Sequence, residues 1–139
     1  MKLTLSTSDP LSVAADVAVI GVVEGASSKA GVLGRLSKAL GPIVARTLKR
    51  EEFTGKKDQS VEFATNGQLK PARVVLLGLG SGELSEAQIR TMAAKAARSA
   101  QSLRGTSLVL EVPFGVAGSE RAAAEGVVLG AYRFSKYFT

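Results

Sequence analysis

The sequence predicts an α/β fold, a three-layer α/β/α arrangement around a mixed sheet, and three observations carry that reading. Residues 15–23, 73–79 and 107–112 are apolar runs rich in β-branched side chains, as strands buried on both faces require. Segments with apolar residues at helical spacing lie between these runs. Strands that alternate with helices place parallel neighbours in one sheet and helices on both of its faces. With 139 residues, 45% of them hydrophobic, the chain is long and apolar enough for one domain with a core of its own. The whole of 1–139 is read as that single domain.

Taken in order, residues 2–6 alternate polar and apolar, with Lys2, Thr4 and Ser6 against Leu3 and Leu5, which predicts a half-buried edge strand. Asp9-Pro10 marks a turn before the first buried run. Residues 24–28 form a loop in which Ser27 or Ser28 can cap a helix. That helix carries Val32, Leu33, Leu36, Ala39 and Leu40. Gly41-Pro42 breaks it, since glycine suits the residue after a helix and proline the start of the next. A second short helix runs over 43–50 with Val44 and Leu48 on one side.

A polar loop over 53–60 holds Gly55, Lys56 and Lys57, and a short strand follows at 61–64. Asn66-Gly67 signals a hairpin, because both residues accept positive φ. Pro71 stands before the second buried run, where a proline is tolerated. Ser85 and Gln88 then form a capping box, with Leu84 and Ile89 placed as a hydrophobic staple. The helix they open buries a stripe of Ile89, Met92, Ala93, Ala96, Ala100 and Leu103 and closes at Gly105. The third buried run ends at Pro113. Ser119 can cap a last helix, from Ala122 to about Tyr137, inside which the chain stops.

Composition excludes much chemistry. The chain has no histidine, cysteine or tryptophan. Histidine is the usual base near neutral pH and cysteine the usual thiolate, so most nucleophilic triads and zinc sites cannot be assembled. Lack of cysteine also fits a reducing, cytoplasmic setting. No apolar run approaches the ~20 residues of a membrane helix, and no signal peptide follows Met1-Lys2. Net charge is +6. That permits nucleic acid or another phosphate-rich partner without requiring one, because the cations are spread along the chain. In the densest cluster, Lys49, Arg50, Lys56 and Lys57 meet Glu51, Glu52 and Asp58, as on a solvated face.

Two motifs remain. Gly78, Gly80, Ser81 and Gly82 follow a buried strand and precede a capped helix, where glycines can let backbone N–H groups approach a phosphate. The spacing is G-x-G-x-G, not the dinucleotide G-x-G-x-x-G, and the helix begins only at Ser85, which favours a structural loop over a ligand loop. The second motif is the C-terminal tract. Of seven aromatic residues, four lie in the last eight positions, among them Tyr132, Phe134 and Tyr137. With Arg133 they make a candidate contact surface toward a further domain.

The tract AEGVVLGAYRFSKYFT, Ala124 to Thr139, resembles the AEG-x-x-LGAYRF-x-x-Y segment of the leucyl aminopeptidase (cytosol aminopeptidase) family. ADVAVIGVVEG, LKREEFTGKKDQS and RVVLLGLG match that family upstream, in the same order, while the stretch between Val112 and Ala122 is shorter than its usual pattern. The resemblance implies a non-catalytic N-terminal domain with a macro-domain-like fold, whose last helix, about 120–139, leads toward a C-terminal peptidase domain. That absent domain would hold two divalent metals, zinc or manganese, and the catalytic residues, so no catalytic or metal role falls on any residue here. It further implies a cytoplasmic homo-oligomer, usually a hexamer, that hydrolyses N-terminal residues from peptides. The alternatives are a free-standing macro-like module for ADP-ribose or a related nucleotide, or a nonspecific DNA-binding accessory domain.

Overall fold

A computed structural model describes residues 2–5, 10–25, 31–81, 85–104 and 107–110. The strands are β1 (Lys2–Leu5), β2 (Val17–Val23), β3 (Ser60–Ala64), β4 (Arg73–Gly80) and β5 (Ser107–Leu110). The helices are α1 (Gly31–Leu40), α2 (Ile43–Arg50) and α3 (Glu86–Ser102), and a short 3₁₀ turn occupies Pro10–Ser12. The five strands form one sheet in the order β1-β5-β2-β4-β3. The first four are mutually parallel and β3 is antiparallel to β4, so the sheet is mixed as expected.

The period-two pleat sorts the core into two halves. Val17, Val19, Val75, Leu77, Leu108 and Leu110 face α3 and pack on Ile89, Met92, Ala93, Ala96 and Ala100. Ala18, Ile20, Val22, Val74, Leu76 and Val109 face the other way, onto Leu33, Leu36 and Val44 of α1 and α2. This is the three-layer arrangement. Burying a side chain such as Leu36, which is 0% exposed, stabilises by roughly 1.5–3 kcal/mol. The alanines along α3 let it lie close to the sheet, and Gly21 of β2 carries this furthest. A Cβ there would meet Leu79 Cδ1 at 2.7 Å and Met92 Sδ at 2.9 Å.

The local signals are realised with some shifts. Ser85 Oγ accepts from Gln88 N–H at 3.2 Å and Gln88 Oε1 accepts from Ser85 N–H at 2.8 Å, completing the capping box. The staple partner Leu84 and the closing Gly105 lie outside the described residues, as do the capping serines before α1. Past the end of α3 it is Arg104 that takes positive φ, at 60°. Gly41 leaves α1 with φ 83° and its N–H returns to Ser37 O at 2.8 Å. In α2, Thr47 is buried beside Val44 while Leu48 is only partly covered.

Asn66 and Gly67 have φ of 51° and 83°, and Gln68 N–H closes the turn on Thr65 O at 2.9 Å. The hairpin is nonetheless not a two-residue one. Thr65 N–H pairs with Ala72 O at 3.1 Å, so residues 66–71 make the connection. The first buried strand starts at Val17 rather than residue 15. Just before it, Asp16 N–H bonds to Ser107 Oγ at 2.8 Å, tying the starts of β2 and β5. The helix expected over about 120–139 lies outside the described residues.

Candidate functional site

In open α/β sheets, ligand crevices form beyond the carboxyl ends of parallel strands. Here the ends of β2 and β4 are roofed by the polar loop between α2 and β3. Gly25 N–H donates to Thr54 O at 3.0 Å, Gly80 N–H to Gly55 O at 2.8 Å, and Gly78 N–H to Gln59 O at 2.8 Å. The approach is close enough to demand glycine on both sides. A Cβ on Gly78 would stand 1.9 Å from Lys56 O, and one on Gly55 would stand 2.5 Å from Val23 O.

The loop keeps this shape through one side chain the sequence did not single out. Gln59 Oε1 accepts from Thr54 N–H at 3.0 Å and from Lys56 N–H at 3.1 Å, and its Nε2 donates to Glu52 O at 3.0 Å. A glutamine two residues past a Gly-Lys-Lys run carries no pattern that would single it out, because its partners are backbone groups brought round by the turn.

Two hollows adjoin the roof, between the loop and α3. One, of about 220 Å³, has an apolar floor of Leu77, Leu79 and Met92 and a polar rim including Lys57, Gln88 and Lys95. The other, of about 430 Å³, lies among Asp58, Ser60, Lys95, Arg98 and Ser102. Lys95 Nζ donates to Asp58 Oδ1, linking the loop to α3. That hydrogen bond and the lysine's charge hold the Asp58 carboxyl below the usual carboxylate range. Asp58 itself has φ 72°, so the loop bends at the residue that makes the link.

Of the sequence-predicted ligand loop, Gly78 and Gly80 belong to β4 itself, and Ser81 is exposed just beyond it. The N–H groups of Gly78 and Gly80 are already bonded to the roof. Gly82 lies outside the described residues, as do Tyr132, Arg133, Phe134 and Tyr137. Among the described residues no three His, Cys, Asp or Glu side chains come together, so this part of the chain does not fit a metal ion. The hollows offer amines, a guanidinium, hydroxyls, the Asp58 carboxylate and apolar surface.

A family model described as the N-terminal domain of the cytosol aminopeptidase family matches residues 19–139. The chain belongs to the cytosol aminopeptidase family. A probable cytosol aminopeptidase of Alkaliphilus metalliredigens is 30% identical over an alignment of 131 residues that covers 89% of this chain and 26% of that protein. One from Caulobacter vibrioides is 36% identical over 104 residues, 74% of this chain and 21% of the relative. A tomato leucine aminopeptidase mutant superposes with a TM-score of 0.80 at 26% identity, over 94% of this chain and 28% of that one. The chain thus spans about a quarter of the length of these aminopeptidases. The macrodomain of Mycobacterium tuberculosis DarG superposes with a TM-score of 0.64 at 16% identity, over 95% of this chain and 91% of its own, a likeness of fold alone. No described helix is long and apolar enough to cross a membrane.

Proposed function

We propose that this cytosol aminopeptidase N-terminal domain is non-catalytic, and that it serves assembly and access to the active site of a metal-dependent leucyl aminopeptidase. The carrying observation is the family match over 19–139 in a chain that covers only 26% of a relative such as the Alkaliphilus enzyme. The chemistry then belongs to the remaining three-quarters of such a protein. A C-terminal peptidase domain would supply two divalent metals, zinc or manganese, and the catalytic groups. Tyr132, Arg133, Phe134 and Tyr137 are assigned to the contact with that domain. In this reading the full-length protein is a cytoplasmic homo-oligomer, hexameric as the sequence resemblance implies, that removes N-terminal residues from peptides. The absence of histidine and cysteine from all 139 positions supports keeping catalysis elsewhere.

The test is hydrolysis of leucine p-nitroanilide by the 139-residue chain with added manganese or zinc, beside a protein extended through a peptidase domain. The expected result is turnover by the extended protein only. Turnover by the purified 139-residue chain that tracks its concentration and survives a second purification would overturn the non-catalytic assignment.

A further inference from the structure

We propose that the outer edge of β3 is a docking site for an extended segment of a partner polypeptide, which adds to the sheet antiparallel to β3. The hydrogen-bond alternation fixes which groups face outward. Gly78 N–H donates to Gln59 O, and Thr65 N–H to Ala72 O. Both pairs stand directly opposite in the register that sets Ser60 against Leu77 and Ala64 against Arg73. Opposed residues in an antiparallel ladder alternate between bonded and non-bonded pairs. Val61 and Phe63 therefore bond to β4, while Ser60, Glu62 and Ala64 turn their N–H and C=O groups away from it. β3 is the last strand of the sheet, and among the described residues nothing bonds to these outward groups. All three residues are exposed. Such an edge is a template for one more strand.

The edge also states what the strand should carry. Ser60, Glu62 and Ala64 oppose Leu77, Val75 and Arg73, so their side chains lie on the face that α3 covers further in. Glu62 stands mid-edge, half-exposed and 3.5 Å from Arg73, so a like charge opposite it is repelled and a lysine or arginine is favoured. A second copy centred on Glu62 would set two glutamates face to face, which makes it the poorer occupant. Next to Ser60 opens the hollow of about 430 Å³, where Lys95 is already bonded to Asp58 and Arg98 on α3 supplies the cation left for a partner's carboxylate. An acidic side chain opposite Ser60 enters it. Antiparallel addition orders these two requirements along the partner as a basic residue, a spacer and an acidic residue. This inference stands apart from the proposed function: it concerns the sheet edge, whatever the catalytic part does.

The probe is the peptide Thr-Val-Lys-Val-Asp-Val-Thr, titrated into the full ¹⁵N-labelled chain and followed by the amide resonances of Ser60, Glu62 and Ala64. Those three should move together, with a Kd of about 1 mM or tighter. N-methylation of the peptide's Lys and Asp amides, which face β3, should abolish the shifts. N-methylation of the flanking valines should not. Glu62→Pro should weaken binding about tenfold or more while leaving the thermal melt near that of the parent, because the lost N–H has no partner in the sheet. Should the proline variant unfold, the two methylated peptides still decide. No shifts up to several times that concentration would overturn the proposal, and so would equal binding of both methylated peptides. Sedimentation showing a dimer of the chain that Glu62→Pro dissociates would assign the edge to a second copy and overturn the partner proposed here.

Discussion

Replacing Gly78 by alanine should unseat the loop that roofs β2 and β4. Gly78 lies in β4 at the edge of a register shift against β2, but its φ is outside the left-handed region, so alanine meets no backbone strain there and the whole cost is steric. The new methyl would sit 1.9 Å from Lys56 O, against the roughly 3.3 Å of a close carbon–oxygen contact. The obstacle is backbone, so no rotamer change relieves it; the loop must retreat by more than an ångström. That breaks the bonds from Gly78 N–H to Gln59 O and from Gly80 N–H to Gly55 O, both 2.8 Å. At about 1 kcal/mol net for each bond, plus exposure of apolar surface beneath the loop, the loss is about 2–4 kcal/mol. In a chain of this size that lowers Tm by about 10 °C. Urea unfolding of the parent, Gly78→Ala and Gly80→Ala measures it. Gly80 has φ 78° but only Lys57 near its side-chain position, at 3.6 Å, so its alanine variant should lose only the ~1–2 kcal/mol of left-handed strain. A Gly78→Ala variant within about 1 kcal/mol of the parent would refute the packing argument.

Three further outcomes follow from the same geometry. Gln59→Ala removes three bonds to backbone groups of the loop and should cost about 1–2 kcal/mol in urea unfolding, with faster amide exchange at Thr54 and Lys56. Ser85→Ala removes the cap that Gln88 N–H donates to and should destabilise by about 1 kcal/mol, seen as a lower urea midpoint at unchanged m-value. Lys95 lowers the Asp58 pKa in the folded chain, so the link stabilises above the unfolded carboxylate pKa of about 4 and is lost as pH falls through the folded value. A stability-versus-pH comparison with Asp58→Asn should therefore show a gap near neutrality that closes in acid and narrows in high salt. Asparagine keeps the left-handed conformation of that residue accessible, which isolates the charge.

Local chemistry made much of the fold legible. The capping box at Ser85 and Gln88, the left-handed Gly41 and the Asn66-Gly67 turn each satisfy their bonds within a few residues, so spacing alone exposes them. Helix periodicity likewise found the buried stripe from Ile89 to Ala100. What misled were boundaries set by distant partners. β2 begins late because Asp16 is held by Ser107, ninety-one residues away. The hairpin loop is long because Thr65 bonds to the carbonyls of Pro71 and Ala72 rather than letting the strands run on to Asn66.

Legible in the sequence alone were the fold class, the starts of α2 and α3, the exclusion of histidine and thiolate chemistry and the resemblance to the family the chain belongs to. Those follow from residue types and short-range spacing. Tertiary contacts alone show why Gly78 must be glycine, why Gln59 matters and which sheet edge has no bonded neighbour among the described residues. Each depends on which strands become neighbours. The order β1-β5-β2-β4-β3 brings Lys56 over Gly78 and, among the described residues, leaves the outward groups of β3 unpaired; no local pattern encodes that adjacency.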